Sequence, residues 1–217
     1  MSKASDSDSV PLLIRRGDFH FRRLGRRATA KALQTEFEGP HETLKKAHGD
    51  LLDAAFERTV HTGDVEGAMA TFRGAVGLVG AEVYAAAKRK RKSDLYRAFF
   101  PTGRTKETTK APPEDVGAAS QRIADAAAKH PGACTAESVA AVADGATEVA
   151  DLLVQGAAKD AAVEAAEETV AQVRVPWTAM YNSHDPKLQL LFPDNPALVA
   201  SFFLRAKSSK KAKAPQG

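Results

Sequence analysis

Side chains able to hold a metal or run a reaction are sparse in this chain. Glu38 and His41 have the Glu-x-x-His spacing of a di-iron helical bundle. Gly39-Pro40 between them reads as a helix stop, which takes the two groups off a common face. Glu57 and His61 are four apart and share a helical face, but a di-iron centre needs a matching pair on another helix, and the other long predicted helices contain no histidine. His48 falls on an apolar face with Leu44, Leu51 and Ala55, where a buried, hydrogen-bonded histidine is the simpler account than a ligand. Cys134 precedes a predicted helix N-terminus, a place where thiol pKa values fall, and His130 is four residues upstream. A nucleophile needs a base in reach and a third group to orient it, and nothing in the sequence supplies that. Gly74, Gly77 and Gly80 repeat every third residue inside a helical pattern, so they are not a phosphate loop, and no nucleophile elbow, P-loop or dinucleotide fingerprint occurs. No catalytic residue, metal ligand or cofactor is expected, and the chain reads as non-enzymatic.

The chemistry that does stand out is cationic. The net charge is only +4, but it is segregated. Residues 10–31 carry +6, residues 88–110 carry +7 and residues 205–213 carry +5. The remainder of the chain is therefore acidic. Two clusters are the candidate polyanion contacts: Lys88, Arg89, Lys90, Arg91 and Lys92, and Arg22, Arg23, Arg26 and Arg27. Clustered Lys and Arg are the footprint of phosphate or another polyanion. With no aromatics interleaved in the 88–92 run, base stacking is not indicated, and no helix-turn-helix, zinc-finger or RNA-recognition signature accompanies it. The competing account is a solvated helix end, since cations at a helix C-terminus are favoured by its dipole. A second candidate surface is apolar. Trp177, Phe202 and Phe203, with Leu188, Leu190, Leu191 and Phe192, form the bulkiest cluster in the chain. They read either as a cap closing an under-filled core or as anchors for a partner or for self-association.

The elements that must position these groups are helical. The chain of 217 residues contains 42 Ala against 16 Leu, 16 Val, 10 Phe and 2 Ile. Ala is the strongest helix former, and the apolar residues recur at helical rather than strand spacing. Val65, Met69, Phe72, Val76, Val79, Val83 and Ala86 form a seam spaced 4, 3, 4, 3, 4, 3, and the helix is expected to run on into the 88–92 run. Val139, Val142, Ala146, Val149 and Leu153 repeat the pattern. Gly39-Pro40, Thr62-Gly63-Asp64, Pro131-Gly132, Gly156 with Asp160, and Pro176 read as stops or turns. Asn195-Pro196 reads as the start of a last, Phe-rich helix.

The predicted architecture is an all-α antiparallel bundle of four long helices in two hairpins with basic flexible ends. Residues 1–24 are a disordered lead followed by a short hairpin around Gly17-Asp18. Residues 25–103 are the first helical hairpin, 104–113 a linker, 114–205 the second hairpin with the terminal Phe-rich helix, and 206–217 a basic tail. A shift of 92 residues lays Phe100-Pro101 on Phe192-Pro193, which reads as an internal duplication. Glycines 67, 74, 77 and 80 mark either close helix approach or a soft, solvent-facing stretch. One cysteine excludes an internal disulfide framework and suits a reducing compartment. The polar start carries no secretory h-region, and the most apolar run, 74–87, is too short to span a bilayer. The expectation is a cytoplasmic interaction or structural protein working through protein–protein contacts, with nucleic acid or another polyanion as the alternative partner and no membrane partner.

Overall fold

The computed structural model describes residues 3–204. Within them the chain is all-α, with no strand. Seven α-helices follow in order: α1 (Val10–Gly25), α2 (Lys31–Ala86), α3 (Asp94–Phe99), α4 (Thr105–Thr109), α5 (Val116–Lys129), α6 (Ala136–Leu191) and α7 (Pro196–Ser201). Single 3-10 turns at Ala28–Ala30 and Pro113–Asp115 lead into α2 and α5. The basic tail at 206–217, and Arg205 with it, lies outside the described residues.

The two hairpins are not formed: α2 and α6 are each one unbroken helix of 56 residues. Pro40 lies inside α2, and Pro176 and Pro186 lie inside α6. An interior Pro forfeits one ladder bond and costs about 3 kcal/mol or more. Burial offsets it here, because Phe37, His41 and Leu44 keep helical spacing across Pro40 and all three are buried. Thr62-Gly63-Asp64 is likewise helix, with all three residues exposed. The same burial logic overturns the hairpin at 10–24. Leu13, Gly17, His20 and Leu24 repeat at 4, 3, 4 and are all buried, so α1 presents one apolar stripe to a core. Residues 3–9 are also tied down. Ala4 and Asn182 exchange backbone-to-side-chain hydrogen bonds of 3.0 and 2.9 Å, and Asp8 pairs with Arg16 while its carbonyl accepts from Arg174 at 2.6 Å. The 104–113 segment is not featureless either, since α4 occupies half of it.

The chain forms two compact units, and both long helices contribute to each. Unit 1 comprises Met1–Asp53 and Glu164–Gly217, and unit 2 comprises Ala54–Val163. The division therefore cuts α2 and α6 rather than falling at 104–113. In unit 1, Leu13 and Leu24 of α1, Phe37 and Leu44 of α2, Trp177, Tyr181 and Leu188 of α6, and Val199, Phe202 and Phe203 share one core. In unit 2, Phe72, Val76, Val79 and Val83 of α2 pack with Tyr96, Phe99 and Phe100, with Val116 and Ile123 of α5, and with Val142 and Val149 of α6. Each such side chain contributes about 1.5–3 kcal/mol of transfer free energy. The 4-3 seam of α2 is thus a core seam from Met69 to Val83. Phe37, Leu44, Phe72, Val76 and Val83 are buried in α2, and the positions 105 residues on in α6, Val142, Val149, Trp177, Tyr181 and Leu188, are buried too.

Backbone and capping details in unit 2 set where its long helices end and begin. Helix α2 stops at Ala86 instead of continuing through 88–92, because Lys88 and Arg89 adopt left-handed φ values of 51° and 61° and the Arg89 amide donates back to the Tyr84 carbonyl at 2.8 Å. Within the same unit, Glu82 caps α6. Its carboxylate accepts from the Thr135 amide at 2.8 Å and the Ser138 hydroxyl at 2.7 Å, and the first of these bonds, more than any other contact, holds its pKa below the usual carboxylate range.

The helix-interior glycines divide. A Cβ at Gly67, Gly74 or Gly77 would meet open space, whereas at Gly80 it would lie 2.3 Å from Thr105 Cγ2. Replacing Gly67, Gly74 and Gly77 together by Ala is expected to stabilise the protein by up to about 1 kcal/mol per site, read as a higher urea midpoint at unchanged m-value. An Ala at Gly80 is expected to give no such gain.

Candidate functional site: an arginine cleft beside a buried histidine pair

The last turn of α1 carries Arg22 and Arg23, and the chain leaves it through Arg26 and Arg27. The helix dipole favours cations here. It does not account for where three of them go. Arg23, Arg26 and Arg27 line a cleft of about 250 Å³ whose other wall is Leu198, Ser201 and Phe202, from α7 and the residue after it. Arg22 is exposed and lies outside the lining. Among the described residues no carboxylate lines the cleft and none of the three arginines forms an ion pair. The Arg23 guanidinium lies over the Phe19 ring, 5.5 Å from its centroid, which fixes its stem while leaving its N–H groups free. The Ser201 hydroxyl donates to the Leu198 carbonyl at 2.7 Å, so the lining's donors to an anion are guanidinium groups. The larger clefts in unit 2 differ in kind. The one of about 490 Å³ sets Arg104, Lys110 and Arg122 against Glu107 and Asp115, and is close to charge-balanced.

The α7 wall is held by a histidine pair that sequence reasoning passed over. His20 Nδ1 donates to the Phe202 carbonyl at 3.0 Å, and His20 Nε2 is 2.9 Å from His184 Nδ1. A carbonyl only accepts, so His20 carries its proton on Nδ1. Its Nε2 must then accept from His184 Nδ1–H, and His184 Nε2 is left a bare acceptor. That assignment explains why His184 Nε2 is buried without a hydrogen bond and stands 3.8 Å from Glu36 Oε2, since two acceptors face each other there. Burial is the main cause that lowers both histidines to a pKa of about 4. For His20, the backbone bond to Phe202 opposes it and the charge of His184 adds to it; for His184, Glu36 opposes it and Lys187 adds to it. The signal was present in the sequence: with 10–25 read as helix, His20 falls on the Leu13–Leu24 face.

The other sequence candidates disperse. The 88–92 run is exposed on the loop after α2 in unit 2, with the Arg91 guanidinium 5.4 Å from the Tyr84 ring centroid. Trp177, Phe202 and Phe203 are buried at 0 %, 2 % and 5 % exposure. They are core rather than a partner surface, because α1 and α2 cover them. His41 shares a helix with Glu38 but spends both nitrogens elsewhere, Nε2 donating to Asp18 at 2.9 Å and Nδ1 accepting from Trp177 at 3.3 Å. Glu57 pairs with Lys159 instead of joining His61. His48 is only half-buried, and its Nδ1 has no hydrogen-bond partner. Cys134 has its thiol pKa raised, by burial first and by the charge of Glu82 second, the opposite of an activated nucleophile. Among the described residues no three His, Cys, Asp or Glu side chains gather as a metal site requires, and no helix is long and apolar enough to cross a membrane. No protein-family model, curated protein or solved structure matches the chain.

Proposed function

We propose that this chain is a non-enzymatic helical protein that binds a phosphate-bearing polyanion, nucleic acid, through its Arg and Lys clusters. The observation that carries the reading is the acid-free cleft lined by Arg23, Arg26 and Arg27. Three like charges gathered without a carboxylate repel one another, and an anion between them relieves that cost. Guanidinium groups suit the role because their planar forks meet phosphate oxygens two at a time. The exposed 88–92 run adds a second, less structured source of phosphate contacts. No aromatic residue is interleaved in the 88–92 run, so the binding is read as directed to backbone phosphates rather than to bases. A single cysteine is consistent with a cytoplasmic setting. The equal lengths and matched buried registers of α2 and α6 support an internal duplication as the origin of the fold.

The test is fluorescence anisotropy with a labelled DNA duplex and a labelled RNA across a salt series. Binding near physiological salt is expected, with a log–log salt slope of about −0.9 per phosphate engaged. The triple variant R23Q/R26Q/R27Q is expected to flatten the slope and weaken binding. No binding of either nucleic acid at low salt overturns the reading. Protein–protein contact is the second reading, and a different observation favours it: Phe56, Val60 and Val154 of unit 2 are exposed at 65 %, 45 % and 77 %. Concentration-independent monomer by sedimentation, with and without F56S, would count against self-association through that face.

A further inference from the structure

We infer that the arginine cleft recognises the terminal phosphate of a nucleic-acid strand in preference to the internal phosphodiesters. The inference rests on the phosphate-binding reading above and sharpens it. Three guanidinium groups bring three positive charges and more N–H donors than an internal phosphodiester can use. An internal phosphodiester offers one negative charge and two free oxygens, with a strand leaving on both sides. A terminal phosphate offers a charge of about −1.5 to −2 at pH 7 and three free oxygens, and a strand leaves on one side only. Leu198, Ser201 and Phe202 wall the cleft on the side opposite the arginines, and in about 250 Å³ a compact end group fits more readily than a phosphodiester with a strand leaving both ways. Among the described residues no carboxylate lines it to repel the second negative charge. Ser201 spends its proton on the Leu198 carbonyl, so discrimination falls to the arginines. The wall itself is fixed, because the Phe202 carbonyl is held by His20 and the Phe202 ring is stacked on Phe192 at 5.8 Å.

The experiment compares one short labelled single strand carrying a 5′-phosphate with the same strand carrying a 5′-hydroxyl, using the full chain. The phosphorylated strand is expected to bind about tenfold more tightly or better. The advantage should shrink between pH 8 and pH 6, as the terminal phosphate takes up its second proton near pH 6, while the hydroxyl-ended strand is unaffected. R23Q/R26Q/R27Q should erase the difference. R23K/R26K/R27K keeps the charge without the forks; it should retain binding of the hydroxyl-ended strand and lose most of the preference, and it keeps the test alive should the glutamine variant fold poorly. Inorganic phosphate, titrated alone against the thermal midpoint, separates capture of a free phosphate from capture of a strand end. A midpoint shift with phosphate but no preference between the strands overturns the inference. Equal binding of the two strands also overturns it while leaving polyanion binding standing. Failure of both strands to bind at low salt overturns the polyanion reading itself. A preference that survives in both triple variants places the recognition outside the cleft and overturns the inference.

Discussion

Lowering the pH from 6.5 toward 4 will progressively destabilise unit 1 through the buried His20–His184 pair. In an unfolded chain each ring takes up a proton as pH falls through its ordinary value of 6.5. In the folded protein burial holds both pKa values down at about 4, so the folded state refuses protons that the unfolded state accepts. The stability is therefore complete above pH 6.5 and is lost progressively between 6.5 and about 4. The geometry says which proton does the damage. His184 Nε2 is a bare acceptor facing Glu36, and a proton there makes an ion pair without breaking the His20–His184 bond. A proton on His20 Nε2 sets two N–H groups against each other and breaks it. Trp177, the only Trp in the chain, stacks on Tyr181 at 5.1 Å, and Tyr181 in turn lies 5.1 Å from His20. Tryptophan fluorescence followed through urea unfolding at pH 7 and pH 5 is thus a local probe. The midpoint should fall with pH, and H184Q should reduce the dependence. A midpoint independent of pH over that range would mean that the rings are not buried neutral.

The all-α class was legible because composition and periodicity agree: alanine is abundant and the apolar residues of α2 repeat at 4 and 3. Helix length was not. Gly39-Pro40, Thr62-Gly63-Asp64 and Pro176 are local stop signals; the first and last are overridden by burial that continues in register on either side, whereas Thr62-Gly63-Asp64 stays helical with its residues exposed. Phe37, His41 and Leu44 run across the first, and Val173, Trp177 and Tyr181 across the last. A stop signal costs a few kcal/mol at one position, whereas a core face is summed over many. The bulky cluster of Trp177, Phe202 and Phe203 was legible as a cluster. Its side of the protein was not, because that depends on α1, whose residues read as two short strands. The arginines were legible as a charged segment. Which of them line a cleft was not, since the opposing wall comes from α7, more than 170 residues away in sequence.

The contrast between hairpin and helix at α1 also marks its most sensitive position. Gly17 reads as a hairpin turn residue, but in the structure it is a point where the α1 backbone lies against the rings of unit 1. A Cβ at Gly17 would lie 2.3 Å from His41 Cε1, 2.4 Å from His41 Nδ1 and 3.0 Å from Trp177 Cζ2. His41 has little room to yield. Its Nε2 donates to Asp18, its Nδ1 accepts from Trp177, and its ring stacks on Phe37 with centroids 5.3 Å apart. G17A would gain about 1 kcal/mol of helix propensity. Against that stand an overpacking cost of about 1–3 kcal/mol and the loss of one or both His41 hydrogen bonds, each worth about 0.5–1.5 kcal/mol. A net loss of about 2 kcal/mol is expected in urea or thermal unfolding, opposite in sign to Ala at Gly67, Gly74 and Gly77. The cause can be isolated. H41A removes the ring that a methyl at position 17 would strike, so G17A added on that background should cost far less than it does alone, and the double-mutant cycle should return a favourable coupling of at least about 1 kcal/mol. Equal cost on both backgrounds would assign the effect of G17A to something other than the His41 ring. A stabilising G17A would mean that α1 does not approach α2 and α6 as closely as the geometry requires.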